Sequence, residues 1–290
     1  MVCCARICPF GETSSIIGSI VCAVLLCLAS EPLQGEVGEY WVCAGSHYIM
    51  GGNVPGATNS LAYERLVTSS EPTSQSADSI IERMIEHNRF RNEQVQRYSA
   101  VRTYEIRDFD EKLSAQEVVR VDYEAPDKKT FTKTSEKGSG IVRHVVFDRL
   151  IQSEGKASSG QEHHDSAISS ANYMFKLAGE EEVGSYHCFV LEAIPKRNDK
   201  YLFEGRVWID MADFAIVKIA GHPAKKLSFW INRAEFVREY QRIDGFWVPA
   251  RDETTVELKL HGHRRFTINH EQYVFDSVAS VPANNESVRR

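Results

Sequence analysis

LFEGRVWIDMADFAIVKIAGHPAKKLSFWINRAEFVREYQRIDGFWVPAR, from Leu202 to Arg251, is read as four strands joined by short connections. Phe203, Gly205, Val207 and Ile209 take one phase of a period-two pattern, and Glu204, Arg206 and Asp210 take the other. That alternation marks a strand with one buried side. Asp210-Met-Ala-Asp213 supplies turn chemistry before a return strand over Ala215–Ile219. Beyond the His222-Pro223 break, Trp230, Ala234, Phe236 and Tyr240 alternate with Ile231, Arg233, Glu235 and Glu239. Asp244-Gly245 is a hairpin signal, because both central residues of a type I′ turn need positive φ. The stretch is an antiparallel meander.

Working outward, further strands follow on both sides, and Tyr98–Arg107 and Gln116–Ala125 show the same alternation. Tyr98–Arg107, Gln116–Ala125 and Lys129–Ser135 read as three strands around turns at Asp108–Lys112 and Pro126-Asp127. Asn172–Glu182 and Ser185–Ile194 form a hairpin about Val183-Gly184, and Arg264–Phe275 ends the series. Short connections between consecutive strands favour antiparallel neighbours, and no βαβ alternation appears. Only two segments carry a helical period. Ile80, Ile81, Met84, Ile85 and Val95 form an apolar stripe behind Ser79-Ile-Ile-Glu82, a capping-box pattern, which predicts a helix over Ser79–Gln96. Gly140–Ile151 has apolar residues near i, i+4, i+5 and predicts a short helix, although its valines also suit a strand.

The 290-residue chain carries a formal charge of −6, which gives no electrostatic footprint for nucleic acid. Ile16–Ser30 is continuously apolar and short for a membrane span. It fits the apolar core of a secretory signal peptide, the alternative being an uncleaved anchor. Residues 1–30 are therefore expected to be a leader, 31–75 a disordered linker, 76–276 the folded domain and 277–290 a flexible tail. Five of the seven cysteines, Cys3, Cys4, Cys8, Cys22 and Cys27, lie in the leader, so Cys43 and Cys188 imply no disulfide framework.

Residues with catalytic or metal-binding chemistry are sparse. His163-His164-Asp165 lies in a Ser/Gly loop, where adjacent side chains point apart, and reads as a solvated loop rather than a metal site. His261, His263 and His270 read as β-surface histidines, and Cys188 as a buried structural thiol. No phosphate loop, HExxH, nucleophile elbow or CxxC pair occurs, so no cofactor or catalytic residue is assigned. What the strands do carry is aromatic and aliphatic bulk. A curved sheet of about ten strands with one helix and one insertion to cover it tends to enclose a cavity, which would accept acyl chains.

The order of several segments resembles the LolA/LolB-like superfamily of outer-membrane lipoprotein-sorting proteins, with the related RseB/MucB-type sensor domains. The segments are Asn172-Tyr-Met-Phe-Lys, Glu181-Glu-Val-Gly-Ser-Tyr-His-Cys-Phe-Val-Leu191, Pro195-Lys196, Phe203-Glu-Gly-Arg-Val-Trp-Ile-Asp210 and Phe246-Trp-Val-Pro249. The resemblance covers about Ser76 to Phe275 and is strongest from Asn172 onward. It implies a mainly β fold: an incomplete, strongly curved antiparallel β-barrel with a helical lid over an apolar cavity. It also implies periplasmic, non-enzymatic carriage of the acyl chains of lipoprotein or lipid, with an inner- or outer-membrane protein as a further partner.

On this reading the cavity wall is Tyr104, Val121, Tyr123, Phe131, Phe175, Val207, Ile209, Trp230, Phe236 and Tyr240, and the lid contacts are Ile81, Met84, Ile85 and Arg102. Arg102 shares a strand face with Tyr98, Ala100, Tyr104 and Ile106. It clamps the lid or an ester carbonyl if that face is concave, and is solvated if it is convex. A lipid-binding envelope sensor and a metal-dependent hydrolase built on His163-His164 are the alternatives.

Overall fold

The computed structural model describes residues 76–126, 128–151, 166–226, 229, 231–259 and 262–276. The expectations for the leader, the linker, His163-His164-Asp165, Trp230, His261 and the tail lie outside these residues. The chain order is helix α1 (Ala77–Gln94), strands β1 (Arg97–Arg107), β2 (Leu113–Glu124) and β3 (Lys128–Gly138), then helix α2 over residues 140–151. Seven strands follow: β4 (Tyr173–Val183), β5 (Tyr186–Pro195), β6 (Phe203–Asp210), β7 (Ile216–Pro223), β8 (Ile231–Ile243), β9 (Phe246–Leu258) and β10 (Gly262–Phe275).

All ten strands form one antiparallel sheet in the order β3-β2-β1-β10-β9-β8-β7-β6-β5-β4. Every neighbour is a sequence neighbour except β1 and β10, whose pairing joins the two meanders. The edge strands β3 and β4 do not pair with each other, so the sheet is open rather than closed. This is the mainly β, antiparallel class that the alternation predicts and the incomplete barrel that the family resemblance implies.

The pairing register defines two faces. Directly opposed residues point the same way, so Val119, Arg102 and His270 share a face, as do Asp252, Arg238, Ile219, Val207 and Leu191. This is the inward face, and both helices lie on it. Gly205 and Gly221 oppose each other there, so close that a Cβ on Gly205 would lie 2.1 Å from the Ala220 carbonyl oxygen. Phe236 sits opposite Gly221 on β8, edge-on to the Phe203 ring with the centroids 5.5 Å apart.

Local signals are mostly met, with three corrections. Asp244 and Gly245 have φ of 50° and 85°, as a type I′ turn requires. The α1 cap is Ser76 rather than Ser79: its hydroxyl accepts the Ser79 N–H at 3.2 Å, and Ser79 stands where a capping box would place its glutamate. In β8 the register shifts between Ile231 and Arg233, and the extra residue, Asn232, puts Ile231 in the same buried cluster as Ala234 instead of on the opposite face. His270 is buried, not a surface histidine, because it follows Phe266 and Ile268 in the inward phase. Among the described residues no helix is long and apolar enough to cross a membrane.

Candidate functional site

The inward face carries two apolar clusters with a charged row between them. The first lies under α1. Ile80, Ile81 and Met84 bury themselves among Leu191, Phe203, Val207, Ile209, Ile219 and Phe236, with Phe175 and Tyr240 half-buried at the margin. Of the expected lid contacts, Ile81 and Met84 face the sheet, whereas Ile85 is turned out and 43% exposed. Tyr173 closes one end: its hydroxyl accepts the Phe203 N–H at 3.3 Å, and burial raises its pKa. At the far end of the helix, Arg91 donates to the Asp213 carbonyl at 2.7 Å, and the Arg83 guanidinium lies 4.7 Å from the Phe214 ring centre. Burial lowers the Arg91 pKa.

The second cluster lies under α2, which spends its Arg143–Phe147 turn in π geometry. Val146, Phe147 and Leu150 pack on Tyr104, Val119, Val121, Phe266 and Ile268, and Phe131 joins from the edge strand. The Phe147 ring stands 5.7 Å from Tyr104 and 6.0 Å from Phe266. A rim of charge ties α2 down. Lys133 reaches Glu117 at 3.2 Å and Asp148 at 2.5 Å, and His144 pairs with Asp148 at 2.8 Å. Glu117 is fully buried, and desolvation raises its pKa against the opposing pull of Lys133.

Between the clusters run Arg102, His270, Asp252 and Arg238, on β1, β10, β9 and β8, each under 5% exposed. Asp252 is the hub. One carboxylate oxygen accepts from Arg238 Nε and the other lies 2.8 Å from His270 Nε2. Although burial alone would raise the Asp252 pKa, Arg238 and His270 hold it down at about 2. His270 is pushed below the usual histidine range by burial and by the nearby Arg102 charge. A neutral His270 then donates from Nε2 to Asp252 and presents Nδ1 as an acceptor. Among the described residues, neither His270 Nδ1 nor Arg238 Nη1, both buried, has a hydrogen-bond partner. The Arg102 guanidinium also lies 5.9 Å from the Phe131 ring centre.

Sequence reasoning singled out Arg102 and placed it on one of two possible faces, and the structure puts it on the inward one. It missed Arg238, Asp252 and His270. The signal was present, since each sits in the apolar phase of its strand: Arg238 after Ala234 and Phe236, and Asp252 before Thr254 and Val256. Tyr123 belongs to a third group at the end of the sheet, stacked 5.2 Å from Tyr98 with its hydroxyl donating to the Pro126 carbonyl. Cys188 is buried on the outer face beside Trp208 and Val190, and desolvation pushes its thiol up to about 11, which suits a structural thiol.

A family model described as an uncharacterized protein matches residues 159–279. No curated protein matches the chain. Among solved structures it is similar to a LolA superfamily protein from Nitrosomonas europaea, at 13% identity and TM-score 0.34, over 71% of this chain and 96% of that one. It is also similar to a putative outer membrane lipoprotein-sorting protein domain from Vibrio parahaemolyticus, at 15% identity and TM-score 0.36, over 68% and 92% of the two chains. MucB, in a complex with MucA, is similar at 11% identity and TM-score 0.23, over 70% of this chain and 99% of that one. These are the groups that the sequence resemblance names.

Proposed function

We propose that this protein is a non-enzymatic carrier of acyl chains, in which α1 is the movable cover of the inward face. The observation that supports this most is the cluster under α1. One amphipathic helix covers a continuous apolar floor on an open sheet, and three of its side chains bear the contact: Ile80, Ile81 and Met84.

The energetics suit exchange. Re-exposing three such side chains costs about 5–9 kcal/mol at about 1.5–3 kcal/mol each, while burying a dozen methylenes of an acyl chain gains about 10 kcal/mol before ordering costs. An acyl chain can therefore replace α1 without being held irreversibly, as a carrier requires. Phe175, Val207, Ile209, Phe236 and Tyr240 would line the wall under α1, with Tyr104, Val121 and Phe131 on the α2 side. The polar row offers Arg238 Nη1 to an ester or carboxyl oxygen of the cargo. The apolar leader Ile16–Ser30 fits export to the periplasm, where lipoprotein and lipid acyl chains need a carrier.

Native mass spectrometry of the exported protein, with solvent extraction and titration of a fluorescent fatty acid, tests this. A co-purifying acyl species, or saturable probe binding displaced by palmitate, is expected. An empty protein that also fails to bind the probe contradicts the proposal.

A further inference from the structure

One end of the sheet is chemically unlike the other. The β1–β2, β9–β10 and β7–β8 connections lie side by side there, because Arg107 pairs with Arg265, Gly262 with Leu258 and Ile231 with Leu258. The β5–β6 connection is at this end too, since Phe203 pairs with Pro223, and so is the start of α2, where the Ser139 N–H meets the Ser114 carbonyl.

Three large apolar side chains stand out from this end: Phe109 is 68% exposed, Phe229 70% and Ile141 67%. None is needed for the core, so a folded soluble surface gives no reason for three such tips at the same end. Around Phe229 the charge is basic, whereas Phe109 sits between Asp108 and Asp110. Lys225, Lys226 and Lys259 are exposed and have no carboxylate partner among the described residues, and the Lys259 ammonium lies 3.4 Å from the centre of the Phe229 ring. Lys196, Arg197 and Lys200 follow in the β5–β6 connection.

Of the acidic residues nearby, Asp110 and Glu204 are exposed with no cation partner among the described residues, and the others are engaged. Asp108 accepts the backbone N–H groups of Asp110 and Lys112 within its own turn, and Glu111 pairs with Arg265 at 2.7 Å. The opposite end carries Glu180, Glu181, Glu182, Asp213 and Asp244 in or beside its turns, so Lys225, Lys226 and Lys259 stand, among the described residues, at the end away from these acids.

We infer that this end docks on an anionic lipid surface, with Phe109, Phe229 and Ile141 entering the headgroup boundary and Lys225, Lys226 and Lys259 meeting lipid phosphates. Aromatic rings favour that boundary, and lysine stems lie along apolar material while their ammonium groups stay in water. Each lysine near such a surface adds attraction that decays within a Debye length, so docking must weaken with salt. The inference goes beyond acyl carriage and does not depend on it, because no residue of the inward face takes part.

Sedimentation of the purified protein with vesicles tests it. Binding to vesicles of equal phosphatidylglycerol and phosphatidylcholine is expected at low salt, with little binding to pure phosphatidylcholine. The triple variant Lys225→Glu/Lys226→Glu/Lys259→Glu should reduce partitioning at least about tenfold. Phe109→Ser/Phe229→Ser should abolish the binding that survives 0.5 M salt. All five positions are exposed, so the variants should melt as the parent does. Equal binding to both vesicle types, unchanged binding of the triple variant, or no sedimentation with either vesicle overturns the inference. The last result would leave a protein partner as the reading of this end. Fatty-acid binding by the same variants should be unaltered, which separates this test from that of the carrier.

Discussion

Against β5 to β8, α1 rests on Ile80, Ile81 and Met84 and is fixed at its C-terminal end by Arg91 on uncharged backbone carbonyls. Against β1, β2 and β10, α2 rests on Val146, Phe147 and Leu150 but is also pinned at its rim by Lys133, Asp148, Glu117, Arg143 and Glu136. The two helices cover one face by different physics. Apolar packing is non-directional, so an acyl chain can take the place of α1 at little net cost. A charge network with a buried carboxylate cannot be replaced by hydrocarbon, since opening it would leave Glu117 unpaired. The comparison makes α1 the cover that yields and α2 the cover that stays.

The largest effect should come from the row between them. Asp252→Ala leaves Arg238 buried without its carboxylate and should cost about 3–5 kcal/mol in denaturant unfolding. Adding Arg238→Met should recover much of that loss. If the double variant is no more stable than the single one, the row is not an interacting unit.

Next come the two apolar covers. Met84→Ala should lose about 2–5 kcal/mol and Phe147→Ala about 3–5 kcal/mol. Their functional effects should diverge: Met84→Ala is expected to raise affinity for a fatty-acid probe, because less cover must be displaced, while Phe147→Ala is not. Equal changes in affinity would erase the distinction between the helices.

Lys133→Met should cost about 1–3 kcal/mol at neutral pH by leaving Glu117 buried and charged. A carboxyl group with a raised folded-state pKa contributes stability that is present in acid, below about 4.5, and is lost as pH rises through its folded value. The deficit of this variant should therefore be larger at pH 8 than at pH 5, and high salt should mimic part of it for the parent. The smallest effect expected is on the acid side of the stability profile. His270 has a depressed pKa, so its contribution is complete above about 6.5 and is lost as pH falls through its folded value. His270→Gln should flatten the loss of stability between pH 6.5 and 5, measured by thermal melts in that window.

Much of this organisation was legible in the chain. Period-two alternation and the turn residues between strands together located the ten strands, with Asp244-Gly245 and Val183-Gly184 marking two of the hairpins. The helical stripes at Ile80–Met84 and Val145–Leu150 named both covers, because one buried face imposes its period on the sequence. The pairing of β1 with β10 was not legible, since local pattern says nothing about which distant strand closes a meander. Charge misled in a consistent way. Arg238, Asp252 and His270 occupy the apolar phase of their strands, yet a charged residue is ordinarily a solvated one. Only their mutual pairing, across three strands, makes the inward phase tolerable for them. The Ile231 phase was missed because one extra residue, Asn232, resets the alternation.

Hydrogen exchange on the protein with and without palmitate tests the central claim most directly. Binding should release protection in α1 amides from Ala77 to Gln94, while amides of α2 and of the paired strands β6 and β7 keep or gain theirs. Palmitate binding that leaves α1 protected, or that opens α2 instead, would contradict the account.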